Sequence, residues 1–427
     1  MKNIFVLGLD EFNLSQLHQL RQAEAYCFRS LMSYQDVKRQ NHFPVRDILQ
    51  TSRNVLENFS GAIDAIVGYW DFPVSTVLPL IRQPYDLPGP SLEAILKCEH
   101  KYWSRVLQKQ VIPAFIPEFT AINPFDPKAM DDIALRYPFW LKPVKSASSY
   151  LGFRIHDREE FQQSLGIIRA KIARFAEPFN VILGAADVPP DIAAIDGYHC
   201  IAEGIISNGV QCTLEGYVYH GTTHVYGVVD SLREGKHQSS FSRYQYPSTL
   251  PVTVQQRMID ATETFLAHVA YDDAPFNIEY YWNAEDDTIW LLEINTRISK
   301  SHCPLFHMVD GEYHHAVMID LALGNKPHFP YREGHYKIAA KFMVRRHEDG
   351  VVRKIPSEDD VNQVNKRFPD TEVLLHVQPG IRLTHLLDQD SYSYEIAVIF
   401  MGGNTEQELV DNYHAALEML PFVIEQA

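Results

Sequence analysis

Carboxylate, amide and guanidinium side chains recur in the stretch 276–302, which reads FNIEYYWNAEDDTIWLLEINTRISKSH. Two runs rich in aromatic and β-branched residues flank the polar segment 283–287, a pattern that predicts a β-hairpin with a five-residue loop. Alternation along the second strand puts Trp290, Leu292 and Ile294 on one face, and Ile289, Leu291, Glu293, Asn295 and Arg297 on the other. An unbulged pairing places Glu279 near Leu291 or Glu293. The polar side chains therefore converge on one patch of sheet.

Such a convergence of acidic groups has a chemical cost. Two neighbouring carboxylates repel each other unless they share a proton or a cation. Mg²⁺ takes oxygen ligands, typically one or two carboxylates together with substrate phosphates. Glu279, Glu293 and Asn295 match that ligand set, and Arg297 could then hold an anionic phosphoryl group. The alternative is an exposed sheet face with surface ion pairs, but the same strand is otherwise strongly apolar.

Length, composition and charge limit the classes of protein to which the chain can belong. A length of 427 residues predicts about three domains. A net charge of −16 without a cluster of Lys and Arg argues against nucleic acid as a partner. No apolar run reaches the roughly 20 residues of a membrane span, and the N-terminal run is too short for a signal peptide. Five scattered cysteines suit a reducing cytoplasm.

Strand-like and helix-like segments alternate through the N-terminal region. The apolar runs 2–9, 25–31 and 62–69 are separated by helical patterns, which predicts a parallel α/β layer. No GxGxxG follows the first strand, so a dinucleotide-binding site is poorly supported. This region is predicted to be structural.

The middle of the chain carries lysines beside a serine-rich loop. Ser91 is a predicted N-cap for a helix or helix pair that ends near residue 109 and contains Lys101. A strand at 137–144 contains Lys142, and the loop after it could cover a phosphate with hydroxyl and backbone N–H donors. An ordinary hairpin is the alternative for this loop.

Antiparallel strands are predicted next. Asn208-Gly209 predicts a two-residue hairpin turn, and the loop up to residue 251 has a polar, aromatic character that suits contact with a substrate. That loop contains Arg233, Lys236, His237 and Arg243. The segment SHCPLFH, residues 301–307, fits no standard zinc pattern and is predicted to border the substrate pocket. The α+β tail is predicted to be structural or dimer-forming.

The motifs, taken in order, resemble the ATP-grasp superfamily of carboxylate–amine ligases. They are LPGPSLEAILKCEHKYWSRVL, YPFWLKPVKSASSYLG, IAEGIISNGVQCTLEG and FNIEYY…LLEINTRIS, and the tail is similar to that of biotin carboxylase and the L-amino-acid ligases. The resemblance implies an α/β plus α+β architecture. Its units would be an N-terminal α/β domain at 1–95, an ATP-grasp domain at 96–330 with a mobile lid at about 130–205, and a C-terminal α+β subdomain at 331–427.

The resemblance also assigns roles to individual residues. Arg297 and Lys142 would be catalytic, and Glu279, Glu293 and Asn295 would bind Mg²⁺ or Mn²⁺. The remaining ATP contacts would come from Lys101, Lys142, Ser146, Ser148, Ser149, Glu203, Gly204 and Ile205. One departure is that the family's phosphate-covering loop is usually rich in glycine, whereas this loop reads SASSYLG.

The function implied is an ATP-dependent, ADP-forming ligase that joins a carboxylate to an amine through an acyl-phosphate. Its partners would be small molecules, in the cytoplasm, and a homodimer is expected from the resemblance. Two alternatives remain. One is a biotin carboxylase-like enzyme that activates bicarbonate, and the other is a non-catalytic ATP-binding protein on the same fold.

Overall fold

The protein is described here by a computed structural model. It describes residues 1–38, 42–131, 133, 135–147, 150–234, 240–386, 389 and 393–426. The strands are β1 Lys2–Leu9, β2 Tyr26–Ser33, β3 Ala65–Val67, β4 Phe119–Ile122, β5 Phe139–Pro143, β6 Phe153–Ile155, β7 Cys200–Gly204, β8 Val210–Tyr219, β9 Thr222–Glu234, β10 Ser240–Tyr246, β11 Ala274–Asn283, β12 Thr288–Asn295, β13 Ile338–Arg346, β14 Gly350–Lys354, β15 Glu372–Leu375, β16 Tyr394–Gly403 and β17 Val423–Gln426.

Helices connect and cover these strands. They are α1 Glu11–Leu17, α2 Tyr34–Val37, α3 Val45–Glu57, α4 Val74–Arg82, α5 Leu92–Glu99, α6 Lys101–Val111, α7 Arg158–Lys171, α8 Ala173–Leu183, α9 Pro190–Ala193, α10 Val252–His268, α11 Cys303–Asp310, α12 His315–Ala322, α13 Glu358–Arg367 and α14 Glu406–Glu418. The predicted N-cap of α5 is confirmed, because the Ser91 hydroxyl accepts a hydrogen bond from the Ala94 N–H at 3.1 Å.

The N-terminal sheet has the order β2-β1-β3, and all of its strands run parallel. The middle of β1 is fully apolar and buried, as a parallel strand covered on both faces requires. The predicted parallel α/β layer is therefore confirmed. Its strands end beside the turn that follows β12, so this sheet can contribute side chains to the site described below.

A smaller antiparallel sheet has the order β4-β7-β5-β6. Its apolar side packs on α7, where Phe161, Leu165 and Ile168 are buried among the strand residues Phe139 and Ile155. The sheet starts at β4, before the predicted lid boundary near residue 130, so the lid limits stay a prediction. Its polar side carries Lys142 and Glu203.

The largest sheet has the order β12-β11-β8-β9-β10-β13-β16-β15. One side packs on α10, so that Met258 and Phe265 of the helix lie against Leu214 and Ile278 of the sheet. The predicted tail is not detached from this layer, because β13 pairs directly with β10. The tail strands therefore extend the sheet that carries the hairpin.

Two local predictions are wrong. Asn208-Gly209 does not close a hairpin, since β7 pairs with β4 and β5 whereas β8 pairs with β9 and β11. The turn instead connects two different sheets, so long-range pairing overrides the local turn signal. The segment from 233 to 251 is not only a loop, because β10 lies inside it. Its residues Lys236 and His237 lie outside the described part of the chain.

No helix among the described residues is long and apolar enough to cross a membrane. All five cysteines are free thiols, and those other than Cys27 are buried.

Candidate active site

The predicted hairpin is present, but its register contains a bulge. Tyr281 faces Trp290 and Tyr280 faces Leu291, whereas Glu279 faces Glu293. Leu292 is therefore the extra residue of a β-bulge, and a bulge reverses the facing of the residues that follow it.

The bulge corrects the predicted faces of β12. Ile289, Leu291 and Ile294 pack together in the core, so the strict alternation that grouped Ile289 and Leu291 with Glu293 is wrong. Glu293 and Asn295 instead lie opposite Glu279 and Asn277 on the other face. The structure thus brings the predicted metal ligands together, through a register that strict periodicity does not give.

The facing carboxylates influence each other strongly. Burial and the charge of Glu293 raise the pKa of Glu279, whose Oε2 accepts a hydrogen bond from Gln211 Nε2 at 2.8 Å. Burial alone would raise the pKa of Glu293 as well, but Lys101 and Lys142 lower it below the ordinary value. A cation between the carboxylates would relieve the repulsion. With the oxygen of Asn295 beside them, they form a donor set that fits Mg²⁺.

Two lysines on different elements lie near these carboxylates. The ammonium of Lys101, at the start of α6, lies 3.4 Å from Glu293 Oε2 and 3.4 Å from the backbone carbonyl oxygen of Ser146. Lys142 lies on β5, and its ammonium is 2.6 Å from Glu203 Oε2. The predicted phosphate-contacting lysines therefore lie near the carboxylates and the serine-rich loop. Ser148 and Ser149 lie outside the described residues.

Glu203, one of the residues predicted to contact ATP, forms two buried ion pairs. Its Oε1 accepts a hydrogen bond from Arg105 Nε at 2.6 Å, and both of its oxygens are occupied by cations. The cations lower the pKa of Glu203 to about 2, although burial acts in the opposite direction. The side chain is therefore the counter-ion that orients Lys142 and Arg105. Gly204 ends β7, where its N–H donates to the Glu118 carbonyl at 2.9 Å, and Ile205 follows at the strand end.

Arg105 links the two antiparallel sheets. Its guanidinium bonds to Glu203 on the small sheet, and one of its terminal nitrogens donates to the Leu292 carbonyl at 2.8 Å on the large sheet. That carbonyl belongs to the bulge residue. Arg105 is not among the predicted site residues, although its position four residues after Lys101 places both on one face of α6.

Arg297 is held from the N-terminal unit. Asp71, just beyond β3, accepts from Arg297 Nε at 2.7 Å and from a terminal nitrogen at 2.6 Å, both on Oδ1. Burial would lower the pKa of Arg297, but Asp71 raises it above the ordinary value, so the guanidinium stays charged. Asp71 is not among the predicted site residues. Its position beyond the carboxyl end of a parallel strand could have indicated a role, because ligand-binding sites of α/β layers form at that edge of the sheet.

A buried ion pair that is also absent from the predicted site, Lys145 with Glu99, lies in the same region. Lys145 lies 2.5 Å from Glu99 Oε2, and Glu99 also accepts a hydrogen bond from Ser75 at 3.1 Å. The Thr296 hydroxyl donates to the other oxygen of Glu99. Glu99 thus connects the loop after β5 to the residue immediately before Arg297.

A buried glutamate fixes the turn after Arg297. Glu215 on β8 accepts from Asn277 at 2.5 Å and lies 2.7 Å from His302 Nδ1. Burial raises the pKa of Glu215 to about 7. His302 and Cys303 of the segment SHCPLFH are therefore buried, and His302 contacts Glu215. The described residues contain no group of three or more His, Cys, Asp or Glu side chains that could hold a metal ion.

The chain is similar in sequence to known proteins. A family model described as the ATP-binding domain of the carbamoyl-phosphate synthase L chain matches residues 229–328, which contain the hairpin and Arg297. The C-terminal section of the carbamoyl phosphate synthase large chain from Methanopyrus kandleri is 23% identical over 233 residues, which cover 53% of this chain and 38% of that protein. The match therefore spans well under half of that relative.

Solved structures share the whole architecture. The L-amino acid ligase from Bacillus licheniformis superposes with a TM-score of 0.70 at 15% identity, over 100% of this chain and 99% of that chain. The biotin carboxylase from Campylobacter jejuni superposes with a TM-score of 0.65 at 13% identity, over 100% of this chain and 92% of that one. The chain therefore has the ATP-grasp fold, and the predicted fold class and the predicted resemblance to that superfamily are confirmed.

Proposed function

We propose that the protein is an ADP-forming ligase that joins a carboxylate to an amine through an acyl-phosphate. The observation that carries the proposal is the pair of facing carboxylates, Glu279 and Glu293. The charges of Lys101 and Lys142 act on Glu293, and the charge of Arg297 acts on Glu279. A site that gathers acidic groups for a metal and cations for phosphates is suited to phosphoryl transfer.

The proposed first step activates the carboxylate. A carboxylate oxygen attacks the γ-phosphorus of ATP, the bond from that phosphorus to the β–γ bridging oxygen breaks, and ADP leaves. Lys101, Lys142 and Arg297 stabilise the charge on the transferred group, and preorganised cations of this kind need no reorganisation during the reaction. Magnesium bound by Glu279, Glu293 and Asn295 would neutralise charge on the phosphate oxygens.

The proposed second step forms the amide. The amine nitrogen attacks the acyl carbon, the carbon–oxygen bond to phosphate breaks, and inorganic phosphate leaves. Starting from an ammonium, the nitrogen loses two protons, of which one leaves on the phosphate and the other is released to water. Burial lowers the pKa of Lys142 and Glu203 offsets part of that effect, whereas Asp71 raises the pKa of Arg297 and so keeps its guanidinium charged.

The test is an ADP-release screen with Mg-ATP over a grid of carboxylic acids, amino acids and amines, followed by mass measurement of the product. We expect release that requires both a carboxylate and an amine, and that is lost in Glu279→Gln. Release that depends on bicarbonate would replace the proposal by the carboxylase alternative. Tight ATP binding without turnover over the whole grid would replace it by the non-catalytic alternative.

A further inference from the structure

A half-buried lysine lies immediately beyond Arg297. The ammonium of Lys300 is 4.1 Å from the ring centroid of Trp70, a cation–π distance. Trp70 is fixed, because its Nε1 donates to the Gly8 carbonyl at 2.7 Å and its ring stacks on Tyr34 at 3.5 Å. Gly8 has φ +79°, and a Cβ there would lie 2.8 Å from Trp70 Cδ1. The N-terminal sheet therefore builds one wall around this ammonium.

A second half-buried lysine comes from the tail. Lys341 on β13 donates to the Ser301 hydroxyl at 3.3 Å, and its ammonium lies 5.5 Å from the Tyr244 ring centroid. The Tyr244 ring in turn meets the His302 ring edge-on, with centroids 5.1 Å apart. Lys341 therefore contacts, from β13, the same turn that carries Lys300.

Among the described residues, the carboxylates whose charges act on these lysines are Asp10, Asp71 and Glu395, and each of them contacts other groups. Asp71 holds Arg297, and Asp10 accepts hydrogen bonds from the Asn13 amide at 2.8 Å and from the Tyr69 hydroxyl at 3.0 Å. Glu395 lies 3.2 Å from Arg345 and 3.0 Å from His376.

Within the described residues, no carboxylate lies at ion-pairing distance from Lys300 or Lys341. Burial and the charge of Lys341 together lower the pKa of Lys300 to about 8, although the charges of Asp10 and Asp71 act in the opposite direction. Burial likewise lowers the pKa of Lys341. A pair of enclosed ammonium groups without a counter-ion is costly to maintain, and an anionic ligand would remove that cost.

We propose that Lys300 and Lys341 bind a carboxylate of the substrate other than the one that is phosphorylated. This inference rests on the proposed function, in which Arg297 and the magnesium ligands serve the reacting carboxylate and leave these two ammonium groups for a second anionic group. The substrate class is then a dicarboxylic acid on the acyl side or an amino acid on the amine side. Both sources present the same chemistry, a carboxylate within reach of two lysines.

Binding of small probes distinguishes the two sources. Glutarate against butyrate tests the acyl side, and alanine against ethylamine tests the amine side, each by isothermal titration calorimetry with the full chain and Mg-ADP. We expect the extra carboxylate to tighten binding about 10-fold to 100-fold in one of the two comparisons, as hydrogen bonds to charged groups do.

Lys300→Met and Lys341→Met should abolish that preference. The matched control is Lys337→Met, an exposed lysine just before β13, which should keep it. Lys300→Arg and Lys341→Arg retain the charge and should also keep the preference. If the preference were lost in these variants as well, the loss in the methionine variants would reflect misfolding and not the missing charge. An equal affinity within both probe pairs, or a preference that survives both methionine variants, would overturn the inference.

The outcome is separable from that of the proposed function. ADP release without any dependence on a second carboxylate would overturn this inference and leave the ligase assignment intact. Lysine-dependent binding of a probe, with no ADP release over the whole substrate grid, would support the anion site and overturn the ligase assignment.

Discussion

Replacement of Glu203 by glutamine should destabilise the protein far more than the loss of a surface carboxylate. Glu203 is 3% exposed and is 2.6 Å from a nitrogen of Arg105 and 2.6 Å from the ammonium of Lys142. The amide keeps the size of the side chain but removes the charge, so two buried cations would lack a counter-ion. Breaking a buried ion pair in this way costs about 3–5 kcal/mol. We expect that decrease in the free energy of unfolding, measured by urea denaturation.

The matched control is Glu118→Gln, since Glu118 is exposed and immediately precedes β4. This control should change the free energy of unfolding by no more than about 0.5 kcal/mol. If Glu203→Gln falls within the same range, the counter-ion role of Glu203 is refuted.

The pH dependence of the loss has a definite sign. Burial already lowers the pKa of Lys142 with Glu203 present, and without Glu203 it falls further below its value in the unfolded chain. The folded state then binds fewer protons than the unfolded state, so the free energy of unfolding rises with pH. The deficit of Glu203→Gln should shrink as the pH is raised from about 7 to about 9. A deficit that stays constant or grows would contradict this account.

A triple replacement separates stability from function. Apolar residues of similar volume at all three positions, Glu203→Leu with Arg105→Met and Lys142→Met, should recover most of the lost stability, because buried ion pairs are often replaceable by apolar packing. The same variant should lose ATP binding, since Lys142 is proposed to contact the phosphates.

Three further changes test other parts of the site and fold. Arg297→Met should leave the Kd for ATP unchanged and slow ADP release by about 10²–10³-fold, and undiminished turnover would exclude Arg297 from the chemistry. Glu279→Gln should abolish the Mg²⁺-dependent gain in ATP affinity, whereas Glu285→Gln in the exposed loop of the same hairpin should not; equal affinities in both would remove Glu279 from the metal site. Burial raises the pKa of Glu372 to about 7, so the folded state binds the extra proton and stability should fall by at most about 3 kcal/mol as the pH rises from about 4.5 to about 7. In Glu372→Gln the melting temperature should decline less steeply over that pH range than in the unmodified protein, and parallel plots of melting temperature against pH for the two proteins would contradict the assignment.

Much of the fold is readable from local sequence. The apolar run of β1 and the N-cap at Ser91 are predicted features that the structure contains, because a continuous apolar run and a capping hydroxyl are both local signals. The tail was harder to place. Its strands were predicted, but nothing local indicates that β13 pairs with β10, since that pairing joins segments about a hundred residues apart.

The turn at Asn208-Gly209 shows where a strong local signal fails. The dipeptide favours a two-residue hairpin, and Gly209 indeed has a positive φ of 105°. However, a Cβ on Gly209 would lie 2.2 Å from the Trp282 carbonyl oxygen. Glycine is therefore required by close approach to β11, and the chain crosses between two sheets at this point.

The bulge at Leu292 decides the geometry of the candidate site, and sequence periodicity could not reveal it. Continuing the register of Tyr280 and Leu291 without a bulge would set Glu279 opposite Leu292. Glu293 would then share the face of Ile289 and Leu291, which is packed in the core. The Leu292 carbonyl is bound by Arg105, 187 residues away in the chain, and the same guanidinium holds Glu203. One buried cation on α6 thus supports both the bulge that turns Glu293 toward Glu279 and the carboxylate that orients Lys142, which is why the metal and phosphate ends of the site depend on a residue outside the motifs themselves.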